Sequence, residues 1–251
     1  MTSPAHWLSP SGWALAEECL YWANGDLYHD RGAPGGAALV GTCVHSMAEA
    51  YTKGMIGFGE FESINFDGIF SKYAPEVVAV AKPIFESLKG WLKKSYKWTH
   101  CETGFLYDAE TDTSKEWVRR GMDGYHDHGP MQVPGTIDLL ALDGTTAIIF
   151  DIKTGKKQNS HESQLKIQAI GMARLLGVTT CKVGFVYPRK TKVDQVDIGL
   201  YMTFELDKIA AEVKATLARV PISTPTPGLH CWRCPLGKAA CPAFAQQEPV
   251  L

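Results

Sequence analysis

The sequence lacks long apolar runs: no stretch approaches the roughly 20 residues that a membrane-spanning helix needs. The N-terminal residues MTSPAHWL contain no basic patch followed by an apolar core and so do not resemble a secretory signal. An excess of one charge is missing as well, since 25 Lys and Arg stand against 27 Asp and Glu, a net charge of −2. We therefore expect a soluble cytoplasmic protein (in the host cytoplasm if a phage encodes it) that has no membrane partner and does not coat nucleic acid indiscriminately.

The composition excludes wholesale disorder, because 45% of the 251 residues are hydrophobic and 21% are charged. The length suits one large domain as well as two small ones, and no internal repeat is visible. The order of the expected elements is typical of a single α/β domain with a mostly antiparallel sheet. Helices are expected within 1–24 and at 39–53, 75–97, 160–176 and 207–218, and strands at 102–107, 121–125, 135–142, 145–152, 181–187 and 198–204.

Two of these strands form an expected hairpin that carries two aspartates and a lysine. A two-residue turn at 143–144 places Asp138 opposite Ile149. Because side chains alternate along a strand, Asp138, Asp151 and Lys153 then share one face, with the two aspartates about 7–8 Å apart as diagonal neighbours. Carboxylates at that separation can share a divalent cation, and Lys153 would stand beside the water that such a cation binds.

A second interpretation of these residues stays open. One aspartate pairs with Lys153 at a sheet edge while the other is solvated, and no cation is needed. A three-residue turn would also shift one strand by one position and separate the two carboxylates. The two histidines that flank Asp127, His126 and His128, are interpreted as loop residues because they have no recognisable ligand spacing.

The larger pattern resembles a known family of nucleases. A Gly-x-x-Asp strand that ends at Asp138 precedes a hairpin and an Asp-x-Lys strand that ends at Lys153. A helix with Gln164 follows, and an upstream helix carries His45 among small residues. This order resembles the PD-(D/E)xK nuclease superfamily, most closely its RecB/AddB-type branch with the CRISPR-adaptation exonucleases. The resemblance implies one restriction-endonuclease-like domain over residues 1–251, with a central mixed sheet flanked by helices.

The same resemblance implies roles for individual residues. The ligands of a Mg²⁺ or Mn²⁺ ion would be His45, Asp138, Asp151 and the main-chain carbonyl of Ile152, with Glu102 as a further candidate. The catalytic residues would be Asp138, Asp151, Lys153 and Gln164. The family usually has a tyrosine four residues after that glutamine, where this chain has Gln168.

Positive charge is concentrated in three groups, at 89–97, 153–166 and 189–192. Each group is explained as well by a solvated surface as by a track for phosphates. Under the nuclease interpretation, the candidate DNA contacts are Lys156, Lys157, Lys166, Arg189 and Lys190.

Seven cysteines in a chain without an export signal favour metal or redox use over a disulfide framework. Cys231 and Cys234 have the spacing of a metal knuckle, and Cys241 follows, directly before a proline. A fourth thiolate has no local candidate. A zinc site with four thiolate ligands and unligated thiols are therefore alternatives to an iron–sulfur cluster.

The nuclease branch takes its fourth thiolate from near the N-terminus, which implies that Cys19 completes a 4Fe–4S cluster with Cys231, Cys234 and Cys241. Residues 1–30 and 221–251 would then form an iron–sulfur subdomain that joins the two ends of the chain.

The expected function is a metal-dependent DNA exonuclease that hydrolyses phosphodiester bonds, with single-stranded ends favoured. DNA repair, recombination and phage DNA processing are the expected settings, with a repair or recombination protein as a candidate partner. The alternative is a non-catalytic DNA-binding scaffold that an iron–sulfur cluster or zinc stabilises.

Overall fold

The computed structural model describes residues 6, 8–24, 35–56, 67–117, 128–156, 162–226, 231, 234, 236 and 241–242. The helices are α1 (Trp13–Glu18), α2 (Gly36–Ile56), α3 (Asp67–Phe70), α4 (Pro75–Ser95), α5 (Glu162–Leu176) and α6 (Thr203–Arg219). The strands are β1 (Trp98–Asp108), β2 (Thr113–Glu116), β3 (Gln132–Asp143), β4 (Thr146–Ile152), β5 (Thr180–Pro188) and β6 (Val193–Met202). Within these ranges, no helix combines the length and the apolar character needed to cross a membrane.

The helices begin and end where local chemistry predicts. Pro75 occupies the first turn of α4, where its missing N–H costs no hydrogen bond. Gly177 takes a φ of +66°, which is the left-handed conformation that ends α5. The expected strand at 198–204 ends earlier because the Glu205 side chain accepts a hydrogen bond from the Met202 N–H at 3.1 Å and caps α6. The expected strand at 121–125 lies outside the described residues.

The strands form one six-stranded sheet in the order β2-β1-β3-β4-β5-β6. β4 and β5 are parallel, and every other neighbouring pair is antiparallel. Parallel strands need a long crossover, and α5 supplies it between β4 and β5. The expectation of an α/β fold with a mixed sheet flanked by helices is confirmed.

The sheet is buried on both faces. Ile149 of β4 packs in a core with residues of α5 and α6, whereas the next residue, Phe150, packs in a second core with residues of α2 and α4. This alternation is the two-residue period of a strand. A side chain on the central strands therefore faces either the α5 layer or the α2 layer.

The β3–β4 hairpin has a two-residue turn, but one position later than expected. Asp143 pairs with Thr146, so the turn residues are Gly144 and Thr145. Gly144 accommodates this turn with a φ of +58°, which is unfavourable for residues with a Cβ. The expected pairing of Asp138 with Ile149 is wrong, since Ile149 pairs with Leu140. The observed partner of each paired residue differs from the expected one by two positions, so the faces on which the paired side chains of β3 and β4 lie are unchanged.

Arg174 of α5 links three parts of the α5 layer. Its guanidinium donates two hydrogen bonds to the carboxylate of Asp112, at 3.0 and 2.9 Å, and one to Asp207 of α6 at 2.6 Å. The Tyr107 hydroxyl donates a further bond to Asp112 at 2.9 Å. Fork-shaped contacts of this kind fix geometry better than single ion pairs do.

We predict that Arg174→Met lowers the free energy of unfolding by about 1–2 kcal/mol, because it leaves two half-exposed carboxylates without their shared cation. Lys214→Met is the matched control, since the exposed pair of Lys214 with Glu110 at 3.3 Å is worth at most about 0.5 kcal/mol. Urea titrations of both variants measure the difference. Equal losses in the two variants would contradict a special role for Arg174.

His6 fixes the N-terminal segment in a buried position. It is 1% exposed, and its Nδ1 accepts a hydrogen bond from the Leu8 N–H at 3.1 Å. Burial, assisted by the neighbouring His128 ring, lowers the pKa of His6 to about 3. The folded protein therefore holds this imidazole neutral, while the unfolded chain protonates it below about pH 6.5.

We predict that acidification from pH 6.5 to pH 4 destabilises the protein through His6 by up to about 1.4 kcal/mol per pH unit. The contribution of His6 is complete above pH 6.5 and is lost as the pH falls toward 3. His6→Asn keeps an acceptor near the Leu8 N–H but does not titrate there. Its stability deficit should therefore shrink on acidification in pH-dependent thermal unfolding, and a deficit that is constant with pH would refute the prediction.

Candidate metal centre

Helix α2 brings His45 to the open end of the β3–β4 hairpin. Its buried stripe of Val44, Met47 and Ala48 packs in the core on this face of the sheet, and His45 lies at the edge of that stripe. Gly41, one turn earlier, lies against the segment that follows β4: a Cβ at Gly41 would come within 2.9 Å of the Thr154 hydroxyl oxygen. The glycine thus permits the close approach of helix and strand end.

The imidazole of His45 bridges a carbonyl and two carboxylates. Its Nε2 donates a hydrogen bond to the Ile152 carbonyl oxygen at 2.9 Å. Its Nδ1 lies 3.4 Å from Asp138 Oδ1 and 3.6 Å from Glu102 Oε1. Because a carbonyl oxygen only accepts, Nε2 carries the hydrogen of this bond, and Nδ1 is the nitrogen beside the acids.

Asp138 lies where the pairing of β3 and β4 ends. The last pair of the ladder is Leu139 with Phe150. Just beyond it, the Ile152 N–H donates to Asp138 Oδ2 at 2.6 Å, so a side-chain carboxylate replaces the main-chain carbonyl of a continuing ladder. The Asp138 carboxylate is thereby placed between the strands, within reach of α2.

Glu102 of β1 also lies beside His45, and it does so with an unusual backbone conformation. The flanking pairs, Cys101 with Leu139 and Thr103 with Ile137, put Glu102 level with Asp138. Its φ of +47° is uncommon for a residue with a side chain. Such strain persists when the surroundings hold it in place, and it is concentrated at functional sites.

Asp151 is directed toward the opposite layer, α5, and is only 4% exposed. Gln164 donates an amide hydrogen bond to its Oδ1, and Gln168 donates a second at 3.3 Å. The ammonium of Lys153 lies 2.7 Å from Oδ2 and also donates to Gln164 Oε1 at 2.9 Å. Asp151, Lys153 and Gln164 thus form a closed ring of contacts.

The shared-face expectation for the two aspartates needs correction. Asp151 contacts residues of α5, whereas Asp138 contacts His45 of α2, and these helices cover opposite faces of the sheet. The two carboxylates come near each other because the pairing of β3 with β4 ends at Leu139 and Phe150, before it reaches Asp138 and Asp151. Periodicity alone does not predict such a break.

Burial and charge set the proton affinities of the site. Burial opposes ionisation of His45, but the carboxylates of Asp138 and Glu102 outweigh it and raise the pKa of His45 well above 6.5. Burial likewise acts to raise the pKa of Asp138, yet the charge of His45 lowers it. Burial raises the pKa of Glu102, and burial together with the charge of Asp138 raises the pKa of Asp151 despite Lys153. Carboxylates crowded in this way are stabilised in their ionised form by a bound cation.

The donor set fits a hard divalent cation. Ligand atoms of His45, Glu102 and Asp138 all lie within 4.8 Å of one another, the one such group that His, Cys, Asp and Glu form in the described part of the chain. Adjacent ligands of a six-coordinate ion at about 2.1 Å lie about 3 Å apart, and His45 Nδ1 lies 3.4 Å from Asp138 Oδ1. Imidazole, carboxylate and carbonyl ligands suit Mg²⁺ or Mn²⁺. Asp151 is not in this group, and its role as a ligand stays a prediction.

The candidate DNA contacts are placed unevenly. Arg189 donates a hydrogen bond from Nη1 to the Thr154 carbonyl at 3.0 Å, directly beside the lysine of the site. Lys156 and Lys190 are exposed, and Lys166 is half-buried on α5. Lys157 lies outside the described residues, as do His126 and Asp127. His128 packs against His6, with ring centroids 4.5 Å apart and the ring planes tilted by 47°, and is not in the group of candidate metal ligands.

Four cysteines come together although they lie at opposite ends of the chain. Cys19 follows α1 and is buried, as are Cys231 and Cys241. The Cys234 N–H donates a hydrogen bond to the Cys231 carbonyl at 3.3 Å. Burial raises the pKa of the Cys234 thiol, and the three other sulfurs contribute to the shift. All four are free thiols.

The role of Gln168 was not found from the sequence, where it stood only as a departure from the usual tyrosine. It is 1% exposed and donates to both Asp151 and the Thr136 carbonyl, the latter at 2.9 Å. Its i+4 spacing from Gln164 was the available signal, because residues four apart lie on the same side of a helix.

The match to a family model agrees with this geometry. The model of the PD-(D/E)XK nuclease superfamily matches residues 8–242. A search of curated proteins finds no match. A solved structure titled "Crystal structure of SSO0001" is 14% identical over 94% of this chain and 95% of that chain, with a TM-score of 0.36, a similarity too low to support an argument. From the family match over nearly its whole length, the chain belongs to the PD-(D/E)XK nuclease superfamily, whose members are metal-dependent nucleases acting on DNA.

Proposed function

We propose that the protein is a Mg²⁺- or Mn²⁺-dependent deoxyribonuclease of the RecB/AddB type. The observation that carries the proposal is the convergence of His45, Glu102 and Asp138 beside the ring of Asp151, Lys153 and Gln164. From the family resemblance we further propose that the protein is an exonuclease that acts on single-stranded ends in DNA repair, recombination or phage DNA processing. We also propose a cytoplasmic location and a single domain over residues 1–251.

The proposed ligands are His45, Glu102, Asp138, Asp151 and the carbonyl of Ile152. A bound divalent ion supplies Lewis-acid charge at the scissile phosphate and makes water a stronger nucleophile at neutral pH. The His45 ring is oriented through its contact with the carbonyl, and the Ile152 N–H orients Asp138. Contacts of this kind around metal ligands typically fix their geometry.

Lys153 provides the positive charge that the chain itself brings to the reaction. Asp151 and Gln164 hold its ammonium group at the edge of the site, with 22% of its side chain exposed. An ammonium fixed in this way stabilises negative charge that develops on the phosphate without reorganising during the reaction. The strand itself would be held by Lys156, Lys157, Lys166, Arg189 and Lys190, which makes binding salt-dependent and largely independent of sequence.

We predict that Lys153→Met and Asp138→Asn each lower the rate of metal-dependent nucleotide release by at least about 100-fold. The measurement is digestion of end-labelled single-stranded and double-stranded DNA with Mg²⁺ or Mn²⁺. A reaction with a metal chelator defines zero activity. Lys208→Met, an exposed lysine on α6, is the control and should retain full activity.

Two outcomes would count against this assignment. Full activity in either site variant would exclude the assigned residues. Salt-dependent DNA binding without any cleavage by the wild-type protein would favour the alternative, a non-catalytic DNA-binding scaffold.

We also propose that Cys19, Cys231, Cys234 and Cys241 hold a 4Fe–4S cluster. A single zinc ion with four sulfurs at about 2.3 Å would need them about 3.8 Å apart. All four cysteines are described, yet no three of them have sulfurs within 4.8 Å of one another. A cluster binds each thiolate to a different iron, so wider spacing of the sulfurs favours it over one zinc ion.

We predict that anaerobically purified protein is brown and contains about four iron and four acid-labile sulfide per chain. Cys234→Ser should lose most of the iron, whereas Cys181→Ala, at a buried cysteine of β5, should retain it. Metal analysis and visible absorption give the result. One zinc per colourless chain would establish the alternative.

A further inference from the structure

Helix α5 places two amides on one carboxylate oxygen. Gln164 and Gln168 lie one turn apart, and both donate to Oδ1 of Asp151. The other oxygen, Oδ2, is contacted by the Lys153 ammonium at 2.7 Å. The two oxygens of Asp151 therefore have different surroundings: amide donors hold Oδ1, and Oδ2 faces the charged part of the site.

Gln168 also joins two strands where their own pairing has ended. The same amide nitrogen donates to the Thr136 carbonyl of β3 at 2.9 Å, and to Asp151 of β4. The β3–β4 ladder has its last pair at Leu139 and Phe150. Gln168 thus spans the opening in which the Asp138 carboxylate lies.

The oxygen of this amide, unlike its nitrogen, has no hydrogen-bond partner. Gln168 is 1% exposed, and its Oε1 is buried without a hydrogen-bond partner. A buried, unpaired acceptor is destabilising, and this cost offsets part of what the two hydrogen bonds of the amide nitrogen contribute. An unsatisfied group of this kind calls for an explanation other than stability.

We propose that Gln168 is a positioning residue that selects Mg²⁺ or Mn²⁺ over Ca²⁺ by restricting Asp151 to one ligand oxygen. Gln164 and Gln168 together occupy both lone pairs of Oδ1, so a cation reaches Asp151 through Oδ2, beside Lys153, and loss of Gln168 frees one lone pair of Oδ1. Mg²⁺ accepts single carboxylate oxygens in a six-coordinate shell, whereas Ca²⁺ takes six to eight oxygens and commonly binds both oxygens of a carboxylate. The inference rests on the proposed metal centre and assigns its cation preference to the side chain that replaces the usual tyrosine.

The test measures metal binding without substrate. Titration of free Mn²⁺ by electron paramagnetic resonance gives the Mn²⁺ affinity of the full chain, and competition with Ca²⁺ gives the Ca²⁺ affinity. Gln168→Met should weaken Mn²⁺ binding about tenfold, in the range typical for residues that orient metal ligands, while Ca²⁺ binding stays equal or becomes tighter. The preference for Mn²⁺ over Ca²⁺ should fall at least about tenfold.

Stability separates this role from a structural one. Gln168→Met removes two hydrogen bonds together with the unpaired acceptor, and because these effects oppose each other the melting temperature of the metal-free protein should change little. Gln168→Asn, whose shorter amide cannot span Asp151 and Thr136, is a second variant with the same expected loss of preference if the methionine variant does not fold. Gln195→Met, an exposed glutamine of β6, is the control and should keep the wild-type preference.

The outcomes are distinguishable. Absence of Mn²⁺ binding by the wild-type protein overturns the proposed metal centre, and this inference with it. Mn²⁺ binding by the wild-type protein, with an unchanged Mn²⁺ to Ca²⁺ ratio in the Gln168 variants, overturns this inference alone. A parallel loss of both affinities together with a lower melting temperature shows a structural role and overturns it as well.

Discussion

The site depends on a hydrogen bond at which the sheet stops being regular. Where β3 and β4 separate, the carboxylate of Asp138 accepts the Ile152 N–H that a strand carbonyl would otherwise accept. This exchange satisfies the main chain of β4 and leaves the Ile152 carbonyl to His45. It also places an acid between two layers of helices. Without the break in the ladder, residues from the α2 face and the α5 face would remain separated by the sheet.

Charge balance explains why so many polar groups are buried together. Three carboxylates share this end of the sheet with one ammonium and one imidazole, and burial favours the neutral form of each acid. Asp138 stays ionised because His45 lies beside it, whereas Glu102 and Asp151 retain raised pKa values. The remaining repulsion between these carboxylates favours the binding of a divalent cation among them.

The sequence predicted most of the elements, missed β2 and α3, and predicted the irregularities poorly. The helix around His45 and the strands around Asp138 follow from apolar spacing, because burial of one face imposes a period. The turn was misplaced by one residue because Gly144 permits more than one two-residue turn. The strained backbone of Glu102 and the contacts of Gln168 could not be predicted, since both depend on how β1 and α5 pack against other elements.

The cysteine region and the candidate site are not independent parts of the molecule. Glu17, at the end of α1, accepts the hydroxyl hydrogen of Ser163 with both carboxylate oxygens at 2.7 Å. Ser163 precedes Gln164 in the first turn of α5, where a carboxylate is also favoured by the helix dipole. Cys19 follows Glu17 by two residues, so any ligand that fixes Cys19 also restrains the start of the helix that holds Asp151 and Lys153. The N-terminal segment that carries Cys19 is therefore tied to the start of α5, one residue before Gln164.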